Sequence, residues 1–392
     1  MANNNSSSRA RRNSGGYRTQ QKKGNYVDFL MISTVFLLVV FGLLMIYSTT
    51  AYKSGNSDFL AQLKAVILGV IIMIVLSLFD IKRIKGLQGY AIITSLAVTF
   101  ILLTPMKITL NNATRWFKLL GMSVQSAEIV KICMIILMAY ILSGKENVFA
   151  DIKSIIMVLL IPAFFTILLG VISSNLSSAL IILLICYSMV FIASPHKLIY
   201  LVGGLGGFSL VFGFIKLVDM NVIKFGFRGD RIKMWLHPED TNLIASLDSD
   251  NFQTIQSLYA IGSGGIGGKG IGEGIQKINK IPEAQNDMIF SIVCEELGVI
   301  GAGILMMLFF VLIYRLIVLA INASCKFDAL LISGVMSQIA IQSILNMAVV
   351  TNLIPNTGVS LPFISSGGTS VLCLLAEIGM VIGVSRHNKL AN

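Results

Sequence analysis

The sequence predicts an all-α fold, a polytopic helical bundle of about ten transmembrane helices with a large outer loop between spans seven and eight. Three observations carry that reading. Apolar runs near twenty residues recur along the chain, each long enough to cross a hydrocarbon core about 30 Å thick. Of 392 residues, 55% are hydrophobic and 12% charged, about half the charged share of an ordinary soluble domain. Finally, Lys and Arg cluster at alternate turns, as the positive-inside rule requires. The net charge of +11 therefore describes membrane topology and does not imply nucleic acid as a partner.

Residues 1–26 are rich in Ser, Asn and Gly and carry Arg9, Arg11, Arg12, Arg18, Lys22 and Lys23 without an acid. Such a segment cannot bury a core and reads as a disordered basic cytoplasmic tail, with anionic headgroups as a secondary contact. It is too long for the n-region of a signal peptide, and the apolar run after it is of spanning length, so the first span reads as an uncleaved anchor.

The bundle, residues 27–386, divides by apolar length and polar breaks into Phe29–Tyr47, Leu60–Phe79, Leu87–Pro105, Glu128–Leu142, Ile155–Ile172, Ala179–Ala193, Leu198–Val218, Met288–Tyr314, Ala329–Val350 and Thr369–Val384. The fourth to sixth are short and call for partly buried ends or a locally thinned bilayer. An even count puts both termini in the cytoplasm, including the C-tail 387–392. Lys82, Arg83 and Lys85 after the second span, Lys145 and Lys153 after the fourth, and Lys197 after the sixth agree with that orientation. The outer face then receives the loop 219–287. Five cysteines and three histidines are scattered, without CxxC or HExxH spacing, which argues against a disulfide framework or zinc.

Four constellations face outward. In 111–131, Arg115, Trp116 and Lys118 precede a turn at Gly121, and Glu128 and Lys131 open the fourth span three residues apart, on one helix face. They suit an anionic lipid headgroup, or equally an interfacial Trp anchor with snorkelling cations. In 225–239, Arg228, Arg231 and Lys233 alternate with Phe227, Ile232 and Trp235. That pattern fits a segment on the outer leaflet, with arginines able to pair with phosphate oxygens, or a solvated loop. The glycine run 262–274 lacks the preceding strand that a dinucleotide fingerprint needs. It reads as backbone folding back closely at the membrane surface or as a flexible loop, with Lys269 and Lys277 near enough to meet phosphates.

The fourth constellation is IPEAQNDMIFSIVCEELGVIG. Asp287 sits where the eighth span begins, either as a helix N-cap or as a general base at the water–lipid boundary, kept ionised by helix-end N–H groups. Two turns deeper lie Glu295 and Glu296, at least one of which requires an inward partner, with Lys131 as a candidate. On the ninth span, Gln338, Gln342 and Asn346 form one polar stripe at four-residue spacing, suited to interhelical hydrogen bonds. After it, NLIPNTGVSLPFISSGGTS reads as an outer re-entrant loop packing near Asp287.

At these residues the chain resembles the SEDS family (shape, elongation, division and sporulation), the peptidoglycan glycosyltransferases RodA, FtsW and SpoVE. ATRWFKL with QSAEIVK resembles the family's arginine–tryptophan loop and "PSE…K" helix start. FQTIQSLYAIGSGG, GIQKINKIPEAQNDMIF and EELGVIG resemble its large outer loop, and LIPNTGVSLPFISSGGTS its signature loop. IQSLYAIGSGG, GIQK, EELG and AVVTNLIP lean toward the FtsW and SpoVE branch. The sequence departs from the family at Ser126, Asn175, Gln285, Asn286 and Ser366.

The resemblance implies glycan-strand polymerisation from lipid II at the outer face of a bacterial cytoplasmic membrane, in septum or cortex synthesis, by an inverting transfer that releases undecaprenyl pyrophosphate. It places the catalytic acid at Asp287. Substrate binding would fall to Arg115, Trp116, Lys118, Glu128, Lys131, Arg228, Arg231, Gln256, Lys277, Glu283, Pro362 and Ser365, supported by Glu295 and Glu296. It further implies lipid II and the nascent glycan as ligands, and a divalent cation (Mg or Mn) at the pyrophosphate as an optional cofactor. The implied protein partners are a class B penicillin-binding transpeptidase and other divisome or sporulation membrane proteins. A lipid II flippase and a division scaffold of weak activity are the alternatives.

Overall fold

The structure is a computed structural model. It describes residues 27–51, 57–79, 86–110, 113–119, 122–144, 149, 152–195, 197–220, 229, 232–233, 235–236, 249–278, 281 and 283–386. The basic tail, the C-tail, and Arg228 and Arg231 lie outside the described residues.

In chain order the elements are α1 (Phe29–Thr50), α2 (Ser57–Leu78), α3 (Gln88–Phe100, prolonged by a 3-10 turn Ile101–Leu103), β1 (Lys107–Leu110), β2 (Ala113–Leu119), β3 (Met122–Gln125), α4 (Ser126–Gly144), α5 (Ile152–Ile172), α6 (Leu176–Ala193), α7 (Lys197–Asp219), α8 (Ser249–Gly264), α9 (Ile289–Ile321), α10 (Lys326–Val350) and α11 (Gly368–Ser385). Nine helices among the described residues are long and apolar enough to cross a membrane, and the shorter apolar helix Gln88–Leu103 stands where the third span is expected. The chain is therefore a multi-pass membrane protein.

The spans expected to be short are longer: α4 has 19 residues, α5 21 and α6 18. Each begins a few residues before its apolar run, in a first turn that carries polar side chains, so apolar length alone underestimates them. Ser126, Ala127 and Glu128 are all buried at the start of α4. Asn175, where the family resemblance expects an acid, caps α6. Its Oδ1 accepts from the Ser178 N–H at 3.2 Å and its Nδ2 donates to Ser178 Oγ at 2.8 Å.

One element is not helical. Residues 107–125 form a three-stranded antiparallel sheet in the order β1-β2-β3. Trp116 stands opposite Ile108 on β1 and Gln125 on β3. The β2 sequence alternates, so buried Phe117 points away from the side that carries Trp116 and exposed Lys118. The sheet is tied to the bundle where Thr369 Oγ1 donates to the Ser123 carbonyl at 2.7 Å.

The core runs through α1, α4, α6, α9, α10 and α11. On the side opposite the outer loops, Asp28 caps α1 and accepts from Arg315 of α9 at 2.6 Å, pinning the two helices together. α9 is interrupted at Gly298, whose φ of 64° and ψ of −164° are not helical. The break lies in the N-terminal third of α9, against the backbone of Ile266 and Gly268.

Candidate functional site

The site is built from three pieces of chain: the segment before α9, the glycine run after α8, and the loop between α10 and α11. A broken helix exposes carbonyls and N–H groups that a membrane cannot solvate. Here the glycine run takes them. Lys269 N donates to Glu295 O at 3.0 Å and Gly270 N to Glu296 O at 2.9 Å. In return Val299 N donates to Gly265 O at 3.0 Å and Ile300 N to Ile266 O at 3.2 Å. Such contact leaves no room for side chains: a Cβ on Gly268 would stand 2.2 Å from Glu296 O, and Gly268 itself has φ +77°. The sequence expectation of glycines permitting close backbone approach holds, and the approach is to α9.

The carboxylates of Glu295 and Glu296 complete this joint. Glu295 accepts from Lys269 Nζ at 2.8 Å and from the backbone N–H groups of Ile275 and Gln276. Glu296 accepts from Lys277 Nζ at 2.5 Å, from Gly272 N at 3.1 Å and from Ser48 Oγ of α1 at 2.7 Å. Both acids are wholly buried. Their partners are therefore Lys269 and Lys277. Lys131, expected in that role, instead pairs with Glu128 at 2.9 Å, one helical turn away on its own helix. Lys277, expected at the substrate, is buried, and its ammonium donates to Ser48 O, Ser48 Oγ and Glu296. It is occupied by the joint. The contribution of Ser48 has no sequence signal, because a serine in an apolar span is ordinarily bonded to its own helix.

Asp287 stands just before this braced helix and is half-buried. Met288 takes the N-cap position of α9, without a side-chain cap hydrogen bond, so Asp287 does not fill the cap position. Its backbone is held from α10, where Asn346 Nδ2 donates to Asp287 O and to Val359 O, each at 2.7 Å. Two residues earlier, Gln285 O accepts from Ser366 N at 2.8 Å. The carboxylate faces the re-entrant loop, since Asp287 Oδ2 lies 3.8 Å from where a Cβ of Gly358 would stand. The loop does pack beside Asp287, as its sequence implies. One member of the polar stripe, Asn346, is the clamp.

The remaining residues fall into two groups. Glu283 is exposed, has φ +47°, and accepts from Asn286 Nδ2 at 2.6 Å, which shapes the turn before Asp287. Gln256 is half-buried on α8, and Arg115 and Trp116 are half-buried on β2. By contrast, Pro362 and Ser365 are buried inside the loop. Ser365 Oγ accepts from Leu361 N at 2.7 Å, and Phe363 adopts φ +63° with its carbonyl against Gly42 of α1. They shape the wall behind the site and do not present a free surface. Trp235 donates its indole N–H to Asn352 O at 3.0 Å, joining the outer loop to the same wall. Among the described residues, no three His, Cys, Asp or Glu side chains come together to hold a metal ion.

Fold and site together define a polytopic membrane protein whose loops brace one half-buried aspartate at the entrance to a helical bundle. The chain belongs to the FtsW/RodA/SpoVE family, whose model, described as cell cycle protein, matches residues 28–390. It is 33% identical over 369 residues to stage V sporulation protein E of Bacillus subtilis (strain 168), covering 92% of this chain and 98% of that protein. It is 35% identical over 379 residues to the probable peptidoglycan glycosyltransferase FtsW of the same organism, covering 92% and 91%. Its fold matches a chain from a peptidoglycan synthase complex, solved for the structural coordination of polymerization and crosslinking. That match has a TM-score of 0.74 at 24% identity and covers 92% of this chain and 98% of that one.

Proposed function

We propose that the chain is a peptidoglycan glycosyltransferase that polymerises lipid II at the outer face of the cytoplasmic membrane, with Asp287 as general base, in division or sporulation. The C4 hydroxyl of an acceptor sugar attacks the anomeric carbon of the lipid-linked donor. A carbon–oxygen bond forms there, and the bond to the pyrophosphate oxygen breaks. Undecaprenyl pyrophosphate leaves with the electron pair, and Asp287 takes the hydroxyl proton. A single displacement inverts the donor and needs one base, not a nucleophile–acid pair. The observation that carries the reading is the double hold on Asp287. Its backbone is fixed through Asn346 and through the Gln285–Ser366 hydrogen bond, and its half-buried carboxylate stands beside Gly358.

Arg115 and Lys118 on the sheet, with Arg228 and Arg231 of the outer loop, are the cations we assign to the pyrophosphate. Relatives named peptidoglycan glycosyltransferase support the reaction class. The neighbour from a synthase complex supports a class B penicillin-binding transpeptidase as partner, and other divisome or sporulation membrane proteins belong to the same reading. Both termini lie in the cytoplasm on this reading. The test is glycan formation from lipid II by the purified chain in detergent, with and without the transpeptidase. Detergent provides no two compartments, so polymer there separates synthesis from flipping. No polymer in either arm refutes the proposal.

A further inference from the structure

Deeper in the bundle, α4 packs against α10 and α11, and all three helices send polar side chains into one buried space. From α4 come Glu128 and Lys131, paired at 2.9 Å with side chains 4% and 1% exposed. From α11 comes Glu377, with no exposed surface. It lies within electrostatic reach of Lys131 and Glu128 and beside the amide of Gln338 from α10. Cys133 of α4 and Cys373 of α11 border the same space.

The hydrogen-bond accounting here does not close. Among the described residues, neither carboxylate oxygen of Glu377 has a donor at full hydrogen-bond distance, the Gln338 amide standing next to it as the nearest neutral donor, and Glu128 Oε2 also lacks one. Lys131 carries three N–H donors, and its ammonium makes one hydrogen bond, to Glu128 Oε1. Acceptors short of donors therefore share this space with a cation that has donors to spare and with the Gln338 amide, whose Nε2 also lacks an acceptor, in a region where bulk water cannot supply the difference. A buried carboxylate with no partner is costly, whereas a buried ion cluster is tolerated when a shared cation and further hydrogen bonds satisfy it.

We propose that Glu377 is the third member of this cluster, a positioning residue that shares the Lys131 ammonium with Glu128 and fixes where that cation stands beneath the outer site. A lysine is suited to this, being a compact charge on a flexible stem with rotatable donors. On this proposal the remaining donors of Lys131 reach Glu377 directly or through bridging water. The link between Glu377 and glycan synthesis rests on the reading of the site above. The cluster itself rests on the burial of its members, the Glu128–Lys131 pair and the electrostatic proximity of Glu377.

The experiment is a double-mutant cycle on the purified full-length chain in detergent, read by thermal melting. Glu128→Gln alone leaves Lys131 with Glu377, and Glu377→Gln alone leaves it with Glu128, so each lowers the melting midpoint modestly. The double substitution strips the lysine of both partners and lowers the midpoint by more than the two shifts summed. In a Lys131→Met background the sign inverts, and Glu377→Gln raises the midpoint by removing an uncompensated buried acid. Additive shifts in the first cycle overturn the proposal. If Lys131→Met does not fold, the glutamine cycle alone decides. In lipid II polymerisation, Glu377→Gln lowers kcat severalfold with KM little changed, and Glu377→Asp restores part of the rate. An unchanged kcat removes the positioning role. A coupled melting cycle in a chain that makes no polymer overturns the catalytic reading and leaves the ion cluster standing.

Discussion

Asn346 offers the sharpest perturbation, because one amide group holds both sides of the site. Its Nδ2 donates to the carbonyls of Asp287 and Val359 at 2.7 Å each. That geometry also settles the amide orientation, since a carbonyl oxygen in its place would face two acceptors. Asn346→Ala deletes both hydrogen bonds and leaves two carbonyls at the protein interior without their donor. At about 1–2 kcal/mol for each, the loss is about 2–4 kcal/mol, concentrated at the point where the segment before α9 meets the loop after α10. Asp287, the proposed base, is then free to shift relative to the wall that faces it. A displacement near 1 Å costs about 10²-fold in a positioned reaction. We expect Asn346→Ala to melt earlier than the native chain and to polymerise lipid II about 10²-fold more slowly, with Asn346→Asp no better because an ionised carboxylate has no donor. A variant that melts earlier yet polymerises at the native rate would refute the claim that this clamp positions Asp287.

Asp287→Asn should lower the polymerisation rate about 10²–10⁴-fold, the usual contribution of a general base, with an unchanged melting midpoint. A near-native rate ends the assignment. Lys277→Met leaves the wholly buried Glu296 without its cation and should destabilise the chain by about 3–5 kcal/mol, measured by thermal melting. Lys277→Met combined with Glu296→Gln should recover part of that loss. Gly268→Ala forces a Cβ to within 2.2 Å of Glu296 O at a φ of +77°, so the folded yield should collapse. Gly267→Ala, where a Cβ would meet open space, should be recovered normally.

The helical spans were legible because apolar length is a local property that survives in one dimension. The sheet of residues 107–125 was not, because Arg115, Trp116 and Lys118 read as an interfacial cluster and strand pairing depends on partners the pattern does not specify. Asp287 was legible as an acid at a span boundary, and the proximity of the 352–370 loop followed from its prolines and glycines. The ion pairs were misassigned for one physical reason. Lys131 is a basic residue inside an apolar run and looks like a natural partner for Glu295 or Glu296. Only the fold reveals that the glycine run carries Lys269 and Lys277 to those acids, while Lys131 is used one turn away by Glu128. Glu377 passed unremarked in the last span, where a single acid in an apolar stretch gives no sign of what it faces.

The break at Gly298 explains why so many glycines and charges gather near one aspartate. An unbroken α9 of 33 residues would be about 50 Å long, well beyond a hydrocarbon core of about 30 Å, and its outer turns would leave the bundle. Breaking it lets the first turns, with Glu295 and Glu296, stay inside the protein. The break strands backbone groups, which the glycine run satisfies. The run cannot hold itself in place, so the two carboxylates bind its N–H groups and its lysines, and Glu296 continues through Ser48 to α1. The helix that begins just after Asp287 is thereby fixed to α1 on one side, while Asn346 fixes Asp287 itself to α10 and the Val359 carbonyl on the other. An aspartate held from two sides has little freedom to reorganise, and that rigidity is the condition the proposed role of Asp287 as a single base in an inverting transfer requires.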